Sequence, residues 1–241
     1  MYYMTFEFHT TNMENLFVNT KIFSIIVSAI CDMKNYADFM ILLSPSDKVK
    51  ELVREHKLYA AEVIGNYESM NSIAHISIKK MPRQKSFLTE PALLALNPKR
   101  ATISPVTLSI DGFDYFNHGE DFKTIYAKIR STPEVSAWFK NLKRHLSIKE
   151  FMVPHITIAR NIPVGDFNEL WSHYKAIKWS ESFTVTELTI LQKETFAPFA
   201  KWQKFTTLPF KGKPWEVALP KPSLVKPLQP SSNHGKQISL F

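Results

Sequence analysis

Residues 72–80, SIAHISIKK, alternate apolar and polar side chains with the period of a β-strand. Successive side chains of a strand point to opposite faces. His75 and Ser77 therefore share one face, and the apolar residues that alternate with them occupy the other. The pattern predicts a strand that buries one face and presents an imidazole and a hydroxyl on the other. By itself, such a pair is typical of the partly exposed edge of a sheet.

The same pattern returns in residues 153–160, VPHITIAR, where His155 and Thr157 share one face. This repeat preserves the chemistry of the first segment as well as its hydrophobic spacing. A His-x-Ser/Thr pair on each of two strands suggests two lobes that face each other across a cleft.

The rest of the pattern predicts a mixture of strands and helices. Alternating or apolar runs predict strands over residues 38–43, 106–116, 183–191 and 205–208. Apolar spacing and capping residues predict helices over residues 46–56 and 167–175. Apolar residues at helical intervals over residues 124–146 predict one helix interrupted near Pro133 or two consecutive helices.

Two opposed histidines can act together as a general base and a general acid. Neutral imidazole accepts a proton near pH 7, and imidazolium donates one. The hydroxyls of Ser77 and Thr157 can donate hydrogen bonds to the non-bridging oxygens of a phosphate held between His75 and His155. The set suits the opening of a cyclic phosphodiester and requires neither a metal ion nor a cofactor.

At these residues the sequence resembles the 2H phosphoesterase superfamily, and within it the 2'-5' RNA ligase and cyclic phosphodiesterase group. The family has two His-x-Ser/Thr motifs, and the second closely resembles PHITIAR, residues 154–160. The resemblance extends over roughly residues 36–210. It implies one bilobal α+β domain in which two sheets, rich in antiparallel strands, face a central cleft and the helices lie outside.

The resemblance implies a metal-independent enzyme that acts on 2',3'-cyclic phosphate or 2'-5' phosphodiester ends of RNA or nucleotides. His75 and His155 are then the catalytic residues, and Ser77, Thr157 and Arg160 bind substrate. The family often stacks a base on an aromatic residue, and Tyr115 and Phe116 are the candidates, with core packing as the alternative. The alternative function is a non-catalytic accessory protein that binds nucleotide.

Net charge divides unevenly along the 241 residues. Residues 1–200 contain 23 Lys and Arg against 21 Asp and Glu, a net charge of +2, whereas residues 201–241 contain 7 against 1, a net charge of +6. A nearly neutral body favours a compact phosphorylated end or a small nucleotide over a long duplex. Four cations after the first motif either steer phosphate or form a solvated loop: Lys79, Lys80, Arg83 and Lys85.

The single cysteine, Cys31, permits no disulfide within the chain, which suits a monomer in a reducing cytoplasm. Residues 1–35 form an extension before the domain, which is either of doubtful origin, with Met33 as the natural start, or a helical appendage. Its apolar stretch over residues 21–31 is too short to span a bilayer.

Residues 211–241 contain five prolines and no long apolar period, which predicts a flexible tether. The chain ends in QISLF, which resembles the bacterial sliding-clamp binding motif. That resemblance implies that Gln237, Leu240 and Phe241 bind a clamp and recruit the protein, with an accidental apolar terminus as the alternative.

Overall fold

The computed structural model describes residues 35–96, 102–150 and 153–213. These ranges contain eight strands and four helices. In chain order they are β1 (Tyr36–Leu43), α1 (Asp47–Ile64), β2 (Ile76–Lys85), α2 (Ser86–Leu94), β3 (Val106–His118), β4 (Phe122–Ile129), α3 (Pro133–His145), β5 (His155–Pro163), α4 (Val164–Tyr174), β6 (Ser182–Val185), β7 (Glu187–Glu194) and β8 (Gln203–Pro209).

The strands form two antiparallel sheets of four strands each. One sheet has the order β2-β1-β7-β8, and the other has the order β5-β4-β3-β6. The predicted α+β fold with two antiparallel sheets is therefore confirmed.

Each half of the molecule contains the same strand-helix-strand unit. In the first half β1, α1 and β2 follow one another, and in the second half β4, α3 and β5 do. In both units the second strand pairs with the first and forms the edge of its sheet. The two edge strands, β2 and β5, contact each other. β2 begins directly after His75, and β5 begins at His155. The duplication therefore brings both motifs to the boundary between the sheets.

The alternation that predicted the motif strands also explains how they are anchored. Ile76 and Ile78 in β2, like Ile156 and Ile158 in β5, are buried in the hydrophobic core. Burying a side chain of this size contributes roughly 1.5 to 3 kcal/mol. The residues that alternate with these isoleucines remain partly exposed, as the pattern predicts: His75, Ser77, His155 and Thr157.

Both helices of the repeated unit begin at a capping side chain. The Ser46 hydroxyl accepts a hydrogen bond from the Val49 N–H at 3.4 Å, and the Thr132 hydroxyl accepts one from the Val135 N–H at 3.2 Å. Pro133 occupies the first turn of α3, where its missing N–H costs nothing. The helix predicted over residues 46–56 thus begins as expected but continues to Ile64.

The helix predicted over the first part of residues 124–146 is wrong. Phe122–Ile129 is strand β4, and only α3, from Pro133, is helical. β4 lies inside its sheet with both faces covered, so Thr124, Ile125, Tyr126 and Ala127 are all buried. A strand buried on both sides loses its alternation. The pattern also missed α2, and it joined β6 and β7 into one strand.

Among the residues that the structure describes, no helix is long and apolar enough to cross a membrane. Residues 1–34 and 214–241 lie outside the described ranges. The predicted N-terminal extension and the clamp-binding role of Gln237, Leu240 and Phe241 therefore stay predictions.

Candidate active site

The two motif histidines are held in the same way. Nδ1 of His75 lies 2.7 Å from the carbonyl oxygen of Ile73, and Nδ1 of His155 lies 2.7 Å from the carbonyl oxygen of Val153. A carbonyl oxygen can only accept a hydrogen bond, so each Nδ1 carries the proton. In the neutral form of each ring, Nε2 therefore keeps its lone pair and can accept a proton from a substrate or a water.

Both motif strands contain a β-bulge three residues after the histidine. The pairing of β2 with β1 skips Ile78, and the pairing of β5 with β4 skips Ile158. One extra residue reverses the facing of the residues that directly follow it, and each pairing shifts register again further along the strand. Lys80 and Arg160, each five residues after its histidine, therefore return to the histidine's side, where both are exposed.

Burial lowers the pKa of both histidines. For His75 the positive charges of Lys57 and Arg160, with His155, lower it further, and for His155 the charge of Arg160 does so. The hydrogen bond that each Nδ1 donates to a backbone carbonyl opposes this effect and raises the pKa. These interactions place His75, His155 and Arg160 in one electrostatic cluster. A bound phosphate would contribute the negative charge that favours an imidazolium.

A cavity of about 600 Å³ lies beside this cluster, with His155 among its lining residues and His75 and Arg160 outside the lining. Its lining includes Ser77 from the first motif and His155 from the second, together with Lys80 and Phe116. Thr157 lies on the same face of β5 as His155, because the bulge comes after it. The structure therefore brings both predicted motifs, with their hydroxyls, to one site.

The wall on the second sheet is aromatic. The rings of Phe116 and Tyr126 stack with centroids 4.2 Å apart, and they lie 5.0 and 5.1 Å from the His155 ring. Tyr126 was missed because the sequence pattern predicted a helix there. Tyr115 points to the other face of the sheet and packs against Phe167 and Trp171 of α4. Of the two aromatic candidates, only Phe116 is thus brought to the cavity.

The cation cluster after the first motif divides between two environments. Lys79 and Lys80 line the cavity. The guanidinium of Arg83 instead lies 5.9 Å from the centroid of the Phe196 ring, and its backbone N–H donates to Asp38. Of the four predicted cations, Lys79 and Lys80 thus line the cavity, and Lys80 shares the face of His75.

A family model, the 2'-5' RNA ligase superfamily, matches residues 45–195 and so includes both histidine motifs. The chain belongs to this superfamily. The resemblance that the two His-x-Ser/Thr motifs carry is thereby confirmed.

Two solved structures are similar to this chain at low sequence identity, and the first of them shows the same fold. TT0787 of Thermus thermophilus is 14% identical and superposes with a TM-score of 0.53 over 73% of this chain and 99% of that chain. LigT of E. coli complexed with NADP+ is 14% identical, with a TM-score of 0.47 over 73% of this chain and 99% of that chain. No curated protein matches the sequence.

Within the three described ranges, no group of three or more His, Cys, Asp or Glu side chains lies close enough together to hold a metal ion. The polar groups at the candidate site are instead imidazoles, hydroxyls and cations. Such a set offers proton transfer and hydrogen bonds to an anion.

A bridging segment, residues 66–75, joins α1 to the bulge of β5. The side chain of Lys57 in α1 is almost fully buried, with only 3% of the residue exposed. Its Nζ donates to the carbonyl oxygens of Ser69 and Ser72, at 2.9 and 2.6 Å, and to the Ser72 hydroxyl at 2.7 Å. Burial, with the charge of Arg160, lowers the pKa of Lys57 to about 8.

The other end of the bridging segment satisfies the backbone at the bulge. The Ser69 hydroxyl donates to the carbonyl oxygen of Ile158 at 3.3 Å and accepts from the N–H of Arg160 at 2.9 Å. The Tyr67 hydroxyl lies 3.3 Å from the same Ile158 carbonyl. A bulge leaves backbone groups without a strand partner, and these side chains replace that partner. The segment that ends in His75 is therefore tied to the strand that carries His155 and Arg160.

The sequence contained a signal for Lys57 that the motif analysis missed. Lys57 shares the buried stripe of α1 with Val49, Val53 and Ala60, at spacings typical of the apolar face of a helix. A lysine at such a position needs hydrogen-bond acceptors from another element.

Lys57→Met is expected to lower the free energy of unfolding by about 1 to 3 kcal/mol, because it removes the donor of three hydrogen bonds and leaves the Ser72 carbonyl without its ammonium partner, whereas the Ser69 carbonyl keeps the N–H and hydroxyl of Ser72. Methionine retains the apolar stem, so lost packing contributes little. Urea unfolding followed by circular dichroism measures the change.

Lys50→Met is the matched control on the same helix. Lys50 pairs with the exposed Asp47 at 2.8 Å, an arrangement that contributes about 0 to 1 kcal/mol. Equal destabilisation by the two substitutions would contradict the structural role given to Lys57.

Proposed function

We propose that the protein is a metal-independent phosphoesterase that acts on 2',3'-cyclic phosphate or 2'-5' phosphodiester ends of RNA or nucleotides. Membership of the 2'-5' RNA ligase superfamily supports a phosphoesterase-type activity. The observation that carries the proposal is the matched pair of histidines. The Nδ1–H of each histidine donates to the carbonyl oxygen of the residue two positions earlier, which leaves Nε2 available for proton transfer.

In the proposed hydrolysis, the neutral histidine of the pair accepts a proton from water at Nε2 while the water oxygen attacks phosphorus. One bond from phosphorus to a ribose oxygen breaks on the opposite side. The protonated histidine donates its Nε2 proton to that departing oxygen. The product is a phosphomonoester, and the pair ends with its single proton moved from one ring to the other.

Ligation uses the same groups with a different nucleophile. If the 5'-hydroxyl of a second RNA end replaces the water, its oxygen attacks the cyclic phosphate and the 3'-oxygen departs, which leaves a 2'-5' bond. Ser77 and Thr157 donate hydrogen bonds to the non-bridging oxygens, and Arg160 contributes positive charge. The exposed part of the Phe116 ring is the surface for a base, worth roughly 1 to 3 kcal/mol if it stacks.

The test is a screen of the purified chain against nucleoside 2',3'-cyclic phosphates and 2'-5'-linked oligonucleotides, each with and without EDTA. We expect turnover of at least one substrate class at the same rate in both conditions. Loss of all turnover with EDTA, restored by a divalent metal, would contradict the metal-independent mechanism.

The same screen distinguishes the enzyme from the alternative, a nucleotide-binding accessory protein without turnover. Binding of a cyclic nucleotide, with no product after prolonged incubation at high enzyme concentration, would favour it. We favour the enzyme because a binding protein has no need for two proton-transfer groups in matched orientations.

A further inference from the structure

The strand-helix-strand unit of each half forms a groove between its helix and the segment that leads to its histidine. In the second half, the α3 groove has a volume of about 660 Å³ and an apolar floor of Val135, Phe139, Ile148 and Val153. In the first half, the α1 groove has a volume of about 470 Å³ and lies between α1 and residues 70–74. The duplicated fold therefore permits a comparison within one molecule.

The charges at the rims of these two grooves differ. In the α1 groove, Lys50 pairs with Asp47 and Arg54 pairs with Glu51, so each cation is neutralised by an acidic residue one turn earlier. The rim of this groove is therefore close to neutral.

The rim of the α3 groove carries Lys140, Lys143 and Arg144. Among the residues that the structure describes, none of the three has a carboxylate within 4.0 Å, and Arg144 donates only to the neutral amide of Asn141 at 2.7 Å. Cations in the last turn of a helix stabilise its dipole, which explains Lys143 and Arg144 but not Lys140.

The α3 groove adjoins the active-site cavity. Ile148 and Val153 line both cavities, and the carbonyl oxygen of Val153 holds Nδ1 of His155. A ligand in the groove therefore lies beside the second histidine. The α1 groove, by contrast, contains the buried stem of Lys57 among its lining residues.

We propose that the α3 groove binds the nucleotides of a single-stranded oligonucleotide that continues beyond the phosphate processed at the two histidines. Its apolar floor accommodates base and sugar faces, and the ammonium groups of Lys140 and Lys143 contact the phosphates. Helix geometry places these two lysines about 4.5 Å apart along the α3 axis, so both can meet the same phosphate or two successive ones. The proposal rests on the proposed function, because it names the substrate class of the same site.

The experiment measures the binding of a fluorescent pentanucleotide with a 3'-phosphate end by anisotropy over a series of salt concentrations. The variant Lys140→Gln/Lys143→Gln is expected to bind about 5- to 30-fold more weakly than the unmodified chain. Its salt dependence should also fall by about 1 to 1.4 in slope, because two fewer phosphates are neutralised. Binding of a mononucleotide with the same 3'-phosphate should not change.

Lys50→Gln/Arg54→Gln is the matched control, since it removes two cations from the equivalent groove of the first half. It should leave both the affinity and the salt slope unchanged. An equal loss in the two double variants, or unchanged pentanucleotide binding in the α3 variant, would overturn the proposal. A merely structural role of the lysines would lower thermal stability without a change in salt slope.

Steady-state kinetics separate this proposal from the proposed function. The α3 variant should raise KM for a pentanucleotide that ends in a 2',3'-cyclic phosphate and leave turnover of the cyclic mononucleotide unchanged. If the unmodified chain turns over neither substrate, the proposed function fails. The anisotropy result then still decides whether the groove binds an oligonucleotide.

Discussion

His75→Ala and His155→Ala are each expected to lower the turnover of a 2',3'-cyclic nucleotide by about 100-fold or more, since each removes one of the two proton-transfer groups. Binding of the product nucleotide should largely survive, because Arg160 and the hydroxyls remain. The loss should therefore appear in kcat rather than in KM. Stopped time-course assays with the purified variants, together with product titrations, measure the two quantities.

Three controls accompany these variants. His145→Ala removes a histidine of α3 whose Nδ1 lies 2.9 Å from the carbonyl oxygen of Asn141, outside the motifs, and should retain full activity. Ser77→Ala and Thr157→Ala should cost less than the histidine variants, about 10-fold, because each removes one hydrogen bond from an uncharged hydroxyl to the phosphate and leaves both proton-transfer groups in place. Full activity of either motif-histidine variant would rule out the two-histidine mechanism.

The site could be predicted from the sequence to the extent that its geometry is local. A strand fixes the facing of residues two apart, so the spacing of His75 and Ser77, or of His155 and Thr157, already determines that each pair shares a face. The matching of the two segments then indicated that both face one cleft. The backbone carbonyls that engage each Nδ1 belong to residues two positions earlier, and nothing in the side-chain pattern shows them.

What the sequence pattern missed depends on contacts between distant segments. Tyr126 reaches His155 only because β4 is the neighbour of β5, a pairing that no local pattern reveals. Lys57 finds its acceptors in residues 69–72, which lie beyond the end of its own helix. Tyr115 and Phe116 are adjacent in sequence, but alternation sends only Phe116 to the cavity. The strand predicted over residues 106–116 includes both residues, and its alternation already places them on opposite faces.

The duplicated architecture carries unequal chemistry in its two halves. Each half supplies a histidine, a hydroxyl, a bulge and a cation at the same spacing, but the cation is Lys80 in the first half and Arg160 in the second. Of these two cations, only Arg160 is among the charges that lower the pKa of the two histidines, so far as the described residues show. Arginine can also bind two phosphate oxygens at once, whereas lysine acts as a point charge. The second half is therefore expected to dominate phosphate binding.

Arg160→Gln is expected to lower kcat/KM for a 2',3'-cyclic nucleotide by about 10- to 100-fold, because it removes a charge-assisted contact to phosphate. It should also move the pH profile to higher pH. A nearby cation disfavours the imidazolium form, so Arg160 lowers the pKa of His75 and His155, and its removal raises both. The cyclic diester keeps a single negative charge across the neutral range, so both limbs of the profile report groups of the enzyme.

Two further substitutions separate the charge of Arg160 from its shape. Arg160→Lys keeps the charge and should leave both limbs of the pH profile near their original positions. It should still lose activity, because lysine cannot make the bidentate contact to phosphate. Lys80→Gln removes a cation from the equivalent position of the first half and should lower kcat/KM less, without moving the limbs. If Lys80→Gln displaced the profile as far as Arg160→Gln, or if neither did, the distinct electrostatic role of Arg160 would be wrong.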